Sequence, residues 1–353
     1  MAGKNLVGVD IGSSGIKVAH LRETKKGHQL VNFGIEPLPP QTIVDGNVMN
    51  AGAVVDALQR LWKARKIRQR DVALSISGHS VIIKKIPVPL MTDDELEEQI
   101  HWEAEQHIPF DINDVEIDYE VLTRREDQGQ MDILLVAAKK DEINDYAQVA
   151  RESKLRPMVV DIDAFALQNC FELNYGFEPS ETVALLNVGA SLTTINIVQG
   201  GVTMFTRDMA SGGNGITEEI QKQLGVSFEE AEAYKTGGSE GESTTEVVPE
   251  EVQGIIRQVV DSLAGEIQRS LDFYLATSAG GDVDRIFLVG GTSRLRPLVQ
   301  AIEERARVQV EQLDPFRRVT IDDKSIDAQV LREAAPQAAV ALGLALRRDK
   351  ERR

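Results

Sequence analysis

The chain opens on an apolar run, Leu6 to Ile11, that meets Gly12-Ser13-Ser14-Gly15 and resumes as a second run, Ile16 to Leu21. Short apolar runs bounded by glycine and serine predict two strands joined by a tight turn, and Lys25-Lys26-Gly27 predicts the next turn. Val54, Val55, Leu58, Leu61 and Trp62 recur at helical spacing within Ala53 to Trp62, and Val72 to Ile76 returns to strand. From Val81 the pattern is that of a small module. An extended run closes on Pro87 and Pro89, and Thr92-Asp93-Asp94-Glu95 forms a capping-box start for a helix from Glu95 to His107. Strands Val115 to Thr123 and Met131 to Ala138 complete a β-α-β-β unit. Asp141 to Lys154 then predicts a helix, Met158 to Ile162 a strand, and Ala164 to Asn174 a further helix.

At Val183 the opening pattern recurs. The segment from Ala184 through Asn187, Gly189 and Ser191 leads into Thr193 to Gln199, with Gly200-Gly201 as the closing turn. Asp10 and Asn187, Gly12 and Gly189, and Ser14 and Ser191 are each 177 residues apart, half of 353. A repeat at half the length predicts two like-folded lobes, each opening on strand, Gly/Ser turn and strand. The second half continues with helices Thr217 to Leu224 and Phe228 to Lys235, and a loop rich in Gly, Ser, Thr and Glu from Thr236 to Glu246. Pro249 opens a long amphipathic helix to about Thr277, with Val252, Ile256, Val259, Leu263, Ile267, Leu271 and Tyr274 on one face. Strand Arg285 to Val289, the turn Gly290-Gly291-Thr292-Ser293 and a helix from about Pro297 follow.

Composition narrows the partners. With 56 acidic against 39 basic side chains the chain carries a formal charge of −17, which argues against general affinity for nucleic acid or anionic lipid. The basic cluster Lys63, Arg65, Lys66, Arg68 and Arg70 is best explained as a solvated helix C-terminus, where cations complement the dipole. Cys170 is the sole cysteine, so no internal disulfide forms and a four-thiolate zinc site is excluded. His101 and His107 are six apart, so they point to different helix faces and do not make an i, i+4 metal pair. No run approaches the roughly 20 apolar residues that cross a bilayer, and a cytosolic location is the expectation.

The chemistry lies in the glycine turns. Backbone N–H groups can hold a polyphosphate if the chain approaches closely with no side chain between, and Gly and Ser permit this. Three such turns follow strands (Gly12 to Gly15, Gly189 to Ser191, Gly290 to Ser293), and Gly212-Gly213 precedes a helix. Asp10 supplies a carboxylate for Mg²⁺ and Lys17 a cation for phosphate. Neither a Walker A sequence nor a dinucleotide GxGxxG is present.

The segments VGVDIGSSGIKV, LLNVGASLTTINIV and FLVGGTSRLRPL resemble the phosphate-1, phosphate-2 and adenosine motifs of the actin-like ATPase superfamily. Within it, ELEEQIHWEAEQHIPFDINDVEIDYEVL and EIQRSLDFYLAT are similar to the PilM family of type IV pilus assembly proteins, with the likeness covering essentially the whole chain. The resemblance implies an α/β fold of two actin-like, ribonuclease-H-like lobes with a small β-α-β-β insertion. Residues 1–80, 159–182 and 335–353 would form the first lobe, 81–158 the insertion and 183–334 the second lobe. ATP and Mg²⁺ are the implied ligands. Gly12, Ser13, Ser14 and Lys17 fall on phosphate-1, with Asp10 near Mg²⁺ through water, and Gly189, Ala190 and Ser191 fall on phosphate-2. Gly212 and Gly213 sit where the superfamily holds the terminal phosphate. Glu232 and Lys235 match the AExxK helix that contacts adenosine; the alternative for the pair is a solvated i, i+3 ion pair. Gly290, Gly291 and Thr292 match the adenosine turn, and Arg294 falls where related chaperones lay an arginine on adenine.

Asn187 stands where many hydrolysing relatives carry an aspartate; Asn brings no charge and cannot act as a base. Asp161 and Asp163 could orient the attacking water, Asp163 being better placed by resemblance, or could cap the following helix. Firm ATP binding with slow or absent hydrolysis is the expectation. By the same resemblance, the chain is a cytoplasmic scaffold, peripheral at the inner membrane through protein partners and not inserted in it. It would bind the cytoplasmic N-terminal peptide of PilN in a groove near Ser75 to Pro89 and relay its nucleotide state to other pilus inner-membrane and motor proteins. The alternatives are an FtsA-like cell-division homologue, against which the charged ending ALRRDKERR argues, and a small-molecule kinase of the same superfamily.

Overall fold

The computed structural model describes residues 3–237, 250–277, 281–322 and 326–350. Most of the loop expected from Thr236 to Glu246, the helix-opening Pro249 and the final Glu351 to Arg353 lie outside them. Thr236 and Gly237 themselves belong to the helix Phe228–Gly237.

Two mixed sheets carry the half-length repeat. The first orders Arg156–Ile162, Asp71–Ile76, Val7–Ile11, Gly15–Thr24, Gly27–Pro37 and Thr320–Ile321. The second orders Val202–Met209, Thr193–Gln199, Thr182–Val188, Arg285–Val289 and Val310–Gln312. In each, a strand pairs antiparallel with its successor and parallel with a later strand. The repeat extends to the register. Asp10 faces Lys17 in the first hairpin, and Asn187 faces Thr194 in the second. The turns match as well: the Gly12 amide donates to the Gly15 carbonyl at 3.1 Å, and the Gly189 amide to the Leu192 carbonyl at 2.9 Å.

Helices cover the sheets where their apolar faces demand it. Val54, Leu58, Leu61 and Trp62 of Ala51–Arg65 pack on the first sheet, and Ile256, Leu263, Ile267 and Leu271 of Glu250–Thr277 on the second. Each such buried side chain stabilises the fold by about 1.5–3 kcal/mol. Val259, on the same face, is half-buried, packing against that core and also lining a cavity between the lobes.

The lobes share a third core. Leu21, Leu30 and Phe33 of the first sheet and Leu185, Phe287 and Val289 of the second meet Phe171 and Leu342 from the helices Asp163–Asn174 and Ala339–Leu344. These helices approach so closely that a Cβ on Gly343 would lie 1.7 Å from the Ala166 carbonyl oxygen.

The insertion forms its own three-stranded sheet, ordered Val81–Pro89, Gln130–Lys139 and Val115–Arg125. The expected capping box is present on Asp93–Glu105, whose Leu96, Ile100 and Ala104 pack on that sheet. The helix Lys140–Glu152, placed with the insertion on sequence grounds, packs Tyr146, Val149 and Ala150 into the first-lobe core. That core also takes in Ala138 and the half-buried Val81, Ile83 and Val136 at the root of the insertion sheet. Likewise Thr320–Ile321, drawn from the 183–334 stretch, adds to the edge of the first sheet beside Gln29 and Leu30.

Candidate functional site

A cavity of about 820 Å³ lies between the lobes. Asp10, Gly12, Ser13, Ser14 and Lys17 line it from the first hairpin, and Asn187, Gly189, Ala190 and Ser191 from the second. Gly212, Glu232, Lys235, Gly290, Gly291, Thr292 and Arg294 line the second-lobe side, and Asp163 the first-lobe side. Of the residues matched to the nucleotide motifs in the sequence, Gly213 is the exception. It is buried behind the wall, its amide donating to the Gly189 carbonyl at 3.0 Å.

At the first-lobe end, Lys17 Nζ lies 3.3 Å from Asp10 Oδ2. A Cβ on Gly12 would sit 2.8 Å from that ammonium, so a side chain there would displace the tip of Lys17. Burial pushes the Asp10 carboxyl up to about 6; Lys17 pulls it down, and Asp163 pushes it further up. Asp163 is the first residue of its helix, and its carboxylate accepts from the Ser75 hydroxyl at 2.5 Å. The capping alternative for Asp161 and Asp163 does not hold: Ile162 occupies the cap position, with no side-chain cap bond. Asp161 accepts from the Ile162 amide and pairs with Arg347, away from the cavity lining.

On the second-lobe side three segments converge on one carbonyl. Gly189 O accepts from the Gly213 amide and, at 2.8 Å, from Thr292 Oγ1. Gly290 makes this approach possible, at φ +91° and with a Cβ position only 2.2 Å from the Val188 carbonyl oxygen. A Cβ on Gly212 would lie 2.7 Å from the carbonyl oxygens of both Gly189 and Ala190. Glu232 and Lys235 are not a solvated pair. Lys235 is 8% exposed and donates to Glu232 Oε2 at 2.6 Å and to Thr217 Oγ1 at 2.8 Å. Thr217 donates in turn to Glu232 at 2.7 Å, closing a three-residue network that the sequence pattern did not indicate.

Further cavity residues also carried no sequence signal. Tyr146 donates to the Gly46 carbonyl at 2.9 Å, and burial raises its phenol. Among the described residues no cluster of three or more His, Cys, Asp or Glu could hold a metal. Asp10 and Asp163, the carboxylates lining the first-lobe side, could hold Mg²⁺, which keeps waters and phosphate oxygens and needs only one or two carboxylates.

Two sheets related by a half-length repeat, with paired Gly/Ser turns facing one another across an interlobe cavity, define the actin-like ATPase fold. The solved ethanolamine utilization protein EutJ from Carboxydothermus hydrogenoformans shares that fold at 15% identity, with a TM-score of 0.58 over 98% of this chain and 90% of that one. MreB5 of Spiroplasma citri bound to AMPPNP does so at 12% identity and a TM-score of 0.50, over 96% and 94% of the two chains. A PilM-PilN type IV pilus biogenesis complex is much more similar, with 28% identity and a TM-score of 0.87 over 98% of this chain and 99% of that one. The family model described as type IV pilus assembly protein PilM matches residues 8–349, and the chain belongs to that family.

Among the described residues no helix is long and apolar enough to cross a membrane.

Proposed function

We propose that the chain binds ATP with Mg²⁺ in the interlobe cavity and serves as a cytoplasmic scaffold for pilus assembly at the inner membrane. The observation that carries the nucleotide reading is the convergence of three Gly-bearing turns, one carboxylate–lysine pair and the buried Lys235 network on one cavity. Gly12 to Ser14, Gly189 to Ser191 and Gly212 would hold the phosphates, and Asp10 would hold Mg²⁺ through water. Glu232, Lys235 and the Gly290 to Arg294 turn would hold the nucleoside. Bound Mg²⁺ would offset phosphate charge and stabilise the ionised Asp10 carboxylate that burial disfavours. Asn187 supplies no base, so hydrolysis is slow or absent, with Asp163 the carboxylate placed to orient water.

The proposed partner is the cytoplasmic N-terminal peptide of PilN, supported by the likeness to a PilM-PilN complex over nearly the whole chain. Val81–Pro89 pairs on one side only within the insertion sheet, leaving an edge to which an extended peptide can add. Contacts to other pilus inner-membrane and motor proteins would follow from that position. The FtsA-like and kinase alternatives are not favoured, because the family match runs across residues 8–349.

Calorimetric titration with ATP·Mg²⁺, ADP·Mg²⁺ and then a PilN N-terminal peptide tests both halves. Saturable binding of nucleotide and of peptide is expected. No nucleotide binding defeats the first half, no peptide binding in any nucleotide state defeats the second, and vigorous steady-state phosphate release removes the claim of slow hydrolysis.

A further inference from the structure

The connection from the first lobe into the insertion, Ser75 to Val81, is held by carboxylates from two different elements. Ser75 donates to Asp163 at the start of the interlobe helix. The Gly78 amide donates to Asp208 Oδ2 at 2.5 Å, across to the second-lobe strand Val202–Met209. Gly78 is buried with φ +103°, a backbone state that favours glycine, so the direction of its amide is set by the turn.

Asp208 is coupled to the cavity on both sides of that bond. Across the second sheet it faces Thr194, which faces Asn187, and both of these line the cavity. Ser77, the neighbour of Gly78, lines it from the first lobe. The Asp208–Gly78 bond therefore spans the lobes beside the cleft and ends where the chain leaves for the insertion. A shift of about 1 Å between the lobes would stretch such a bond to the limit of hydrogen-bonding range.

We infer that Asp208 is a positioning residue whose bond to the Gly78 amide carries occupancy of the interlobe cavity to the root of the insertion. The inference rests on the nucleotide reading above and adds to it the route by which the partner-binding module senses the cleft. A ligand can reorient the insertion only through a contact that differs between the filled and unfilled states, and this bond is the contact the inference names.

The test is amide hydrogen exchange over residues 77–83 of the full chain, with and without ATP·Mg²⁺, alongside calorimetric ATP affinity. In the wild-type protein bound ATP should slow exchange about tenfold or more. Asp208→Ala should abolish that nucleotide dependence while ATP affinity stays within about threefold of wild type. Asp208→Asn keeps an acceptor oxygen and should restore the dependence. An Asp208→Ala protein that binds ATP and keeps the wild-type exchange response overturns the inference and leaves nucleotide binding standing. A wild-type protein that binds no ATP defeats the nucleotide reading, and the inference with it. Should the alanine variant fail to fold by circular dichroism, the wild type decides alone: exchange unaffected by bound ATP overturns the inference.

Discussion

Thr292 Oγ1 donates to the carbonyl of Gly189 at 2.8 Å, joining two turns that are 103 residues apart in the chain. The same carbonyl also accepts from the Gly213 amide, so losing the hydroxyl does not orphan it.

Thr292→Val should therefore cost only about 0.5–1.5 kcal/mol of stability, the net worth of one satisfied hydrogen bond. It should lower ATP affinity more clearly, because the two turns would no longer be held in register around the cavity. Thr292→Ser keeps the donor and should be close to wild type in both respects. Urea unfolding and calorimetry on the two variants measure the split.

Asp10 and Glu142 predict how the unliganded protein responds to pH. Burial pushes Asp10 up to about 6 and Glu142 up to about 7, above the ordinary carboxyl range that the unfolded chain retains. Between about pH 4 and 7 the folded state binds more protons than the unfolded one, so both groups reduce stability as pH rises through this window. Their stabilising contribution is complete below the unfolded values and lost above the folded ones. Asp10→Asn should thus raise the melting temperature of the unliganded protein at pH 8 and change little at pH 4. It should also remove the extra stabilisation that Mg²⁺ adds to bound ATP. Thermal melts across pH, with and without ATP·Mg²⁺, show whether the sign is right.

Lys235 should be structural as well as ligand-binding. Its buried ammonium satisfies both Thr217 and Glu232, so Lys235→Met should destabilise by about 1–3 kcal/mol and leave the hydroxyl and carboxylate short of a donor. Wild-type stability in this variant would return the pair to the status of a surface ion pair. Chemical denaturation provides the number, and ATP titration of the folded variant should show at least about tenfold weaker binding, equivalent to one lost charged contact.

Asn187→Asp tests the account of slow hydrolysis. It restores a carboxylate where the half-repeat places the partner of Asp10, and phosphate release should rise by up to about a hundredfold, the scale of one positioned base. Rates equal to wild type would mean that another group limits turnover, with Asp163→Asn the next variant to assay.

Much of this arrangement was legible in the residues. Gly12 to Gly15 and Gly189 to Ser191 announce themselves because a tight turn beside a ligand excludes most side chains, and the 177-residue spacing shows that the same solution was used twice. The capping box at Thr92 and the apolar stripe of Glu250–Thr277 were likewise local patterns with local causes. What the pattern could not contain was pairing at a distance. Ser75 meets Asp163 across 88 residues and Gly78 meets Asp208 across 130, and neither residue carries a local mark of its partner. The helix Lys140–Glu152 has the same amphipathic character whichever body it packs on, so only the available apolar surface assigns it to the first lobe. The pair Glu232 and Lys235 has ion-pair spacing whether solvated or buried, and only the approach of Thr217 decides between them. The elements and the duplicated turns were readable along the chain, because those depend on neighbours within a few residues. Which carboxylates face the cleft and which bridge the lobes beside the insertion emerged only from the folded arrangement, because burial and long-range contact arise only when the two halves of the chain close on one another.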